Sequence, residues 1–216
     1  MYNIALIAPP GGGKGTQAKK IIEKLKIPHI STGDLFRAIL RDDYKGSLPK
    51  DEIMGYMKRG ELVPDEIVTN MLFERLKEPD CLDGFLLDGF PRTIEQAKAF
   101  DEKAADKVLN KVILINVDED DLIKRLTGRR SCPQCGRIYN IYFSKPAVEG
   151  VCDDDGAYLI ERQDDNEETV KSRQNIYKKE TMPLIDYYKN KGILKEVDGN
   201  RSIDVIFNSI MEVIKA

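Results

Sequence analysis

Short runs of consecutive apolar residues alternate along the chain with longer stretches in which apolar positions recur every three or four residues. Ile4–Ala8 is an unbroken apolar run and reads as a buried strand. After it, Ala18, Ile21, Ile22 and Leu25 fall at i, i+3, i+4 and i+7, which predicts an amphipathic helix beginning near Lys14. Further strands are predicted at Ile27–Ser31, Gly84–Phe90, Val112–Val117 and Ile193–Val197, with helices near 34–43, 65–78, 93–106 and 119–127. Strand, helix, strand in regular succession predicts an α/β fold: a parallel, five-stranded sheet covered on both faces.

Two segments break this rhythm. Residues 32–63 hold no strand pattern, only polar helices and the loop KGSLPKDE. Residues 128–165 hold three of the four cysteines, several aromatics, and turn signals at Pro133, Gly136, Pro146, Gly150 and Gly156, the pattern of a small β-rich insert. The helical pattern resumes after Asp165, where Asp165 and Glu168 have capping-box spacing. Pro183 is expected to kink or divide the long helix that follows.

The 216 residues suit one sizeable core carrying small inserted lobes. With 41% hydrophobic and 33% charged residues the chain reads as soluble and globular. A net charge of -3 gives no electrostatic reason to expect a nucleic-acid partner. The cleanest apolar run, Val112–Val117, contains an Asn and is far too short to span a bilayer. The chain enters an apolar strand almost at once, with no basic leader, so a cytoplasmic protein with no membrane partner is expected. There, cysteines serve as metal ligands or free thiols more often than in disulfides.

The stretch APPGGGKGT, Ala8–Thr16, sits where a strand gives way to a helix. It departs twice from the phosphate-loop pattern G-x-x-x-x-G-K-[ST]: Ala8 holds the place of the first glycine, and the hydroxyl arrives one residue late at Thr16. The physics of such a loop is nevertheless present. Gly11, Gly12 and Gly13 let backbone N–H groups turn inward, the helix adds its positive N-terminal end, and Lys14 reaches the β/γ-phosphates. A methyl at Ala8 is tolerable if φ there is negative; a positive φ would cost on the order of 1 kcal/mol.

PPGGGKGTQA resembles the loop of adenylate kinases and related nucleoside monophosphate kinases, whose usual ending is G-K-G-T. The late hydroxyl is therefore that family's own variant, while Ala8 is unusual for it. The match continues in order through STGDLFR (Ser31–Arg37), GELVPDE (Gly60–Glu66), FLLDGFPRT (Phe85–Thr93), LTGRR (Leu126–Arg130) and RQDDNEETVKSR (Arg162–Arg173). These motifs span nearly the whole chain.

The resemblance implies a P-loop NTPase-type α/β/α core (1–30, 64–127 and 166–216), a small helical AMP-binding insert (31–63) and a lid (128–165). It implies phosphoryl transfer from MgATP to AMP, giving two ADP, by a monomer serving nucleotide salvage and adenylate energy balance. Arg37 and Arg92 are implied to hold the AMP phosphate, Arg129 to contact ATP, and Arg162 and Arg173 to bridge toward the transferring group. Lys14 and the loop through Gly15 and Thr16 would hold the ATP phosphates, with Asp88 near Mg²⁺. Thr32 and Gln96 match positions reading the AMP base, in a pocket shaped by Glu61, Leu62, Val63, Gly89 and Phe90. Ile138 and Tyr139 match positions near the ATP base, and Arg201 one touching ATP. His29, in the second strand, is expected to be structural.

Cys132-x2-Cys135 and Cys152-x2-Asp155 are separated by sixteen residues, a zinc-ribbon signature with Asp in the fourth place. The long-lid bacterial adenylate kinases have a similar three-Cys, one-Asp set, so structural Zn²⁺ is expected, with Asp153 and Asp154 as neighbouring candidates for the fourth ligand. Two alternatives stand beside this reading. One is a relative in the same superfamily, a GTP-dependent AMP kinase or a UMP/CMP kinase. The other is a zinc-ribbon nucleic-acid-binding protein, but residues 128–165 carry fewer Lys and Arg than Asp and Glu, the wrong balance for that partner.

Overall fold

The computed structural model describes residues 1–40, 50–105 and 107–215. The chain runs β1 (Tyr2–Ile7), α1 (Lys14–Leu25), β2 (His29–Ser31), α2 (Thr32–Leu40), α3 (Lys50–Arg59), α4 (Asp65–Leu76), β3 (Gly84–Asp88), α5 (Ile94–Lys103), β4 (Lys111–Asn116) and α6 (Leu122–Thr127). It continues with β5 (Arg129–Ser131), β6 (Ile138–Asn140), α7 (Glu167–Ile176), α8 (Pro183–Asn190), β7 (Leu194–Asp198) and α9 (Ile203–Lys215). The part of the 31–63 insert that falls on 41–49, with most of its expected loop, lies outside the described residues.

Five strands pair in parallel in the order β2-β3-β1-β4-β7. Side-chain alternation explains why the strands read as continuous apolar runs. Ala5, Ile7, Phe85, Leu87, Val112 and Leu114 pack with Leu72, Phe100 and Tyr188 on one face. Ile4, Leu6, Leu86, Ile113 and Ile115 pack with Ala18, Ile21 and Ile210 on the other. The register sets Leu6 opposite Asp88 and Ile7 opposite Leu114, so the glycine loop and the Asp88 carboxylate leave the sheet at the same, C-terminal edge. Among the described residues no helix is long and apolar enough to cross a membrane.

One local expectation changes, one is borne out, and one helix is added. Asp165 does not cap α7: Asn166 does, its side chain accepting from the Thr169 N–H at 3.0 Å, while Asp165 is fully buried. The Pro183 division takes the form of a π-helical turn, Tyr177–Thr181, before α8 begins at the proline. Helix α9, absent from the sequence reading, buries Ile206, Ile210, Met211 and Ile214 against the sheet.

Ala8 lies just past β1, outside the left-handed region that Gly11 and Gly13 occupy at φ 84°. Its methyl is 4% exposed, inside the core, and would stand 2.8 Å from a Cβ placed on Gly12. The alanine therefore fills the space that the loop leaves by using glycine at position 12. Replacing Ala8→Gly is expected to lower the unfolding free energy by about 1 kcal/mol, from lost burial and added chain entropy. A urea midpoint unchanged or raised would contradict this packing role.

Candidate active site

A cleft of about 1060 Å³ opens at the C-terminal edge of the sheet. One wall is the loop Gly11–Thr16, which passes directly into α1 with Gly13 at its start. No acidic residue occupies the first turn of α1, so its positive end faces the cleft uncompensated. The Lys14 ammonium donates to the carbonyls of Ala8 at 2.6 Å and Pro9 at 3.3 Å. Burial, reinforced by the nearby Arg92, Arg173 and Arg129, lowers its pKa to about 7 against the opposing pull of Asp88. An anion entering the loop would favour its protonated form.

Arg37, Arg92, Arg129, Arg162 and Arg173 line the same cleft. They come from α2, the turn after β3, β5, the segment that precedes α7, and α7 itself. Burial and mutual repulsion lower Arg92 to about 10 and Arg162 to about 9, so both remain cationic at neutral pH. Carboxylates hold the others in place. Arg129 donates from Nε to Asp165 Oδ2 at 2.7 Å and from Nη2 to Oδ1. Arg173 Nη1 donates to Asp164 Oδ2 at 2.9 Å and to Asp165 Oδ1 at 3.3 Å. Arg37 Nη2 donates to Asp34 Oδ1 at 2.6 Å, and Arg162 Nε to Ser131 Oγ at 2.9 Å. Burial pushes the Asp164 carboxyl up, but Arg173 and the surrounding cations outweigh it and hold the group below its ordinary value. Asp88 behaves likewise: burial opposes ionisation, His29 with Nε2 at 3.4 Å and Lys14 favour it, and its pKa falls.

The far side of the cleft gathers Thr32, Gln96 and the backbone of Glu61, Leu62 and Val63. Thr32 Oγ1 donates to the Gly89 carbonyl at 2.9 Å, and the Arg92 Nε donates to the same oxygen at 2.9 Å. Gly89 has φ 83°, and a Cβ there would meet Thr32 Oγ1 at 2.7 Å, so only glycine allows this convergence. Phe90 is 1% exposed and packs on Phe100, supporting this wall from within the core. Arg201 lines the opposite rim and donates from Nε to Asp198 at 2.8 Å. Ile138 faces the loop, its Cδ1 3.4 Å from where a Gly15 Cβ would stand. Tyr139 also lines the cleft, with its hydroxyl turned into the cysteine lobe: it accepts from the Asp153 N–H at 2.7 Å and lies 3.5 Å from Cys152 Sγ.

In that lobe β5 and β6 form an antiparallel pair. Two equivalent turns follow. The Cys132 N–H donates to the Arg137 carbonyl and the Gly136 N–H to the Cys132 carbonyl; Cys152, Ala157 and Gly156 repeat the pattern. Cys132, Cys135, Cys152 and Asp155 thus bring their ligand atoms within 4.8 Å of one another. The Gln134 and Cys135 N–H groups both point at Cys132 Sγ at 3.4 Å, an arrangement that stabilises a thiolate. Asp153 and Asp154 both pair with Arg137 and fall outside the four-atom cluster, although Asp154 Oδ2 also lies 3.9 Å from Cys135 Sγ. This cluster could hold a metal ion.

Residues 6–193 match the family model for adenylate kinase. The chain belongs to the adenylate kinase family. It is 51% identical to the adenylate kinase of Carboxydothermus hydrogenoformans over 98% of this chain and 99% of that one. It is 50% identical to that of Thermodesulfovibrio yellowstonii over 98% of each chain, and 49% identical to that of Clostridium botulinum over 98% and 97%. In this adenylate-kinase chain the residues that sequence reasoning passed over are the carboxylates Asp34, Asp164 and Asp165. Their signal was present: each lies within three residues of a motif arginine, in STGDLFR or RQDD.

Asp165 is fully buried between two guanidiniums. Asp165→Ala would leave Arg129 and Arg173 without their shared counter-charge, at an expected cost of about 3 kcal/mol. Chemical denaturation measures this, and a loss below the cost of an ordinary surface substitution would show that Asp165 is not what holds the pair.

Proposed function

We propose that this chain transfers the γ-phosphoryl group of ATP reversibly to AMP, giving two ADP, through the residues gathered in the cleft. The observation that carries this is the meeting of two anion-binding halves in one cavity: a glycine loop with Lys14 on one side, and a guanidinium wall on the other. A single nucleotide would need only one half.

On this reading ATP lies along Gly11–Thr16, its base toward Ile138 and Arg201. AMP lies with its base toward Thr32, Gln96 and residues 61–63, and its phosphate toward Arg37 and Arg92. An AMP phosphate oxygen attacks the γ-phosphorus in line as the bond to the β–γ bridging oxygen breaks, and ADP leaves from each side. The attacking oxygen of an AMP dianion carries no proton, so no general base is needed and His29 has no part in the chemistry. Lys14, Arg129, Arg162 and Arg173 face the charge that spreads over the transferring group, where fixed cations act most strongly. Asp88, ionised at the sheet edge beside the loop, would hold Mg²⁺ through its waters. That ion would neutralise charge on the β- and γ-phosphate oxygens.

The described residues 31–40 and 50–63 on one side, and 128–165 on the other, are read as two lobes flanking the cleft, whose closure would keep water from receiving the phosphoryl group. Cys132, Cys135, Cys152 and Asp155 would hold Zn²⁺ in a closed, structural site: the Cys135–Cys152 sulfur separation of 3.6 Å suits two ligands of one tetrahedral ion. Cysteines without a disulfide suit a reducing compartment such as the cytoplasm, where we place this chain as a monomer.

A coupled assay of ADP formation, omitting ATP, AMP or Mg²⁺ in turn, tests the reaction. Arg129→Ala is expected to lower turnover by on the order of 10²–10³ with the core still folded; near-normal turnover would remove Arg129 from this role.

The lobe's three buried apolar groups, Cys132, Tyr139 and Cys152, are too few to order it without the cluster's ligands tied together. Chelator is therefore expected to loosen residues 128–165, seen as faster amide exchange there, before the sheet melts. An exchange pattern and melting curve unaffected by chelator would contradict a structural metal.

A further inference from the structure

Gln96 lines the cleft, yet it is only 2% exposed and both ends of its amide are engaged from behind. Its Oε1 accepts from the Arg92 backbone N–H at 2.7 Å. Its Nε2 donates to Asp65 Oδ1 at 2.7 Å. Asp65 Oδ2 accepts from Thr93 Oγ1 at 2.9 Å, and that hydroxyl accepts from the Gln96 N–H at 3.1 Å. Asp65, at the start of α4, does not itself line the cleft.

An amide side chain can ordinarily turn end for end, exchanging donor and acceptor. Here it cannot. A peptide N–H only donates and a carboxylate only accepts, so Arg92 and Asp65 together admit one orientation. What remains toward the cleft is one Nε2 hydrogen and one Oε1 lone pair at fixed places. The edge of a 6-amino purine offers a ring-nitrogen acceptor beside an amino donor. A 6-oxo purine offers the reverse, a ring N–H beside a carbonyl acceptor. An amide free to turn would serve both; an amide locked one way serves one.

We infer that Asp65 is a positioning residue that fixes Gln96 and thereby makes the acceptor site discriminate 6-amino from 6-oxo purine monophosphates. This rests on the reading of Gln96 as the group facing the acceptor base. A site whose polar groups are fixed rejects the wrong pattern because the mismatch leaves them buried and unpaired.

The test compares kcat/KM for AMP and IMP, with MgATP as donor, in the wild-type protein, Asp65→Ala, Gln96→Leu and the double variant. Asp65→Ala is expected to lower the AMP:IMP ratio about tenfold or more, with the KM for ATP within about twofold. In the Gln96→Leu background the same change is expected to leave the ratio alone, since the lock has nothing left to hold. Asp65→Ser, which keeps a small polar side chain at the helix start but is too short to hold Gln96, carries the same expectation should Asp65→Ala fold poorly. The proposal fails if the ratio stays at the wild-type value in these Asp65 variants, if AMP and IMP lose turnover equally, or if the shift persists without Gln96. Should Gln96→Leu itself leave the ratio untouched, the base-facing reading of Gln96 is wrong and the proposal falls with it. Should Gln96→Leu collapse the ratio while Asp65→Ala does not, only the role of Asp65 is lost.

Discussion

Like charges held close together repel, and this protein crowds Lys14, Arg37, Arg92, Arg129, Arg162 and Arg173, among other cations, around one cleft. Carboxylates offset part of that repulsion: Asp34 pairs with Arg37, Asp165 with Arg129 and Arg173, and Asp164 with Arg173. Each neutralises part of the charge and fixes its arginine's direction. The compensation is incomplete: Lys14 falls to about 7, and Arg162 to about 9, because burial and neighbouring cations still outweigh their counter-charges. A polyphosphate would complete the balance, so affinity for anions follows from the same deficit that destabilises the free state.

The rest of the fold can be read as a means of bringing those charges together. A parallel sheet sends every strand end to one edge, and crossover helices return the chain to start again. The glycine loop after β1, Asp88 at the end of β3, and the Gly89–Arg92 turn beyond it reach that edge from adjacent strands. The remaining arginines arrive on α2, β5, the segment before α7 and α7 itself, from stretches distant in sequence. Apolar packing on both faces of the sheet makes the edge rigid enough for guanidinium positions to be set within hydrogen-bond tolerances.

The sheet was legible because its strands are buried on both sides and so appear as uninterrupted apolar runs. The cationic half of the site was legible because arginines recur at motif positions. What escaped was of two kinds. Helix α9 escaped although Ile203, Ile206, Ile210 and Ile214 carry its period. The carboxylates escaped because an acidic residue near a helix start has an ordinary local use. Asp165 has capping spacing with Glu168, and only the tertiary structure shows that Asn166 takes the cap and leaves Asp165 for Arg129. Local pattern ranks the candidates for a role; long-range contact decides between them.

The same distinction applies to Ala8 and Asp65. Position 8 looks defective when judged against a phosphate-loop pattern, since glycine is expected there. In three dimensions the demand for a missing Cβ falls on Gly12, whose Cβ would stand 2.8 Å from the Ala8 methyl and 2.9 Å from the Pro9 carbonyl oxygen. Asp65, within GELVPDE, looks like a helix-start acid favoured by the helix dipole. Its carboxylate in fact spans from Thr93 to Gln96 across 31 residues of sequence. In both cases a residue of the cleft wall depends on a partner with the weaker sequence signature. On the proposed reading of Gln96, selectivity would be set by the geometry behind the cleft wall as much as by the wall itself.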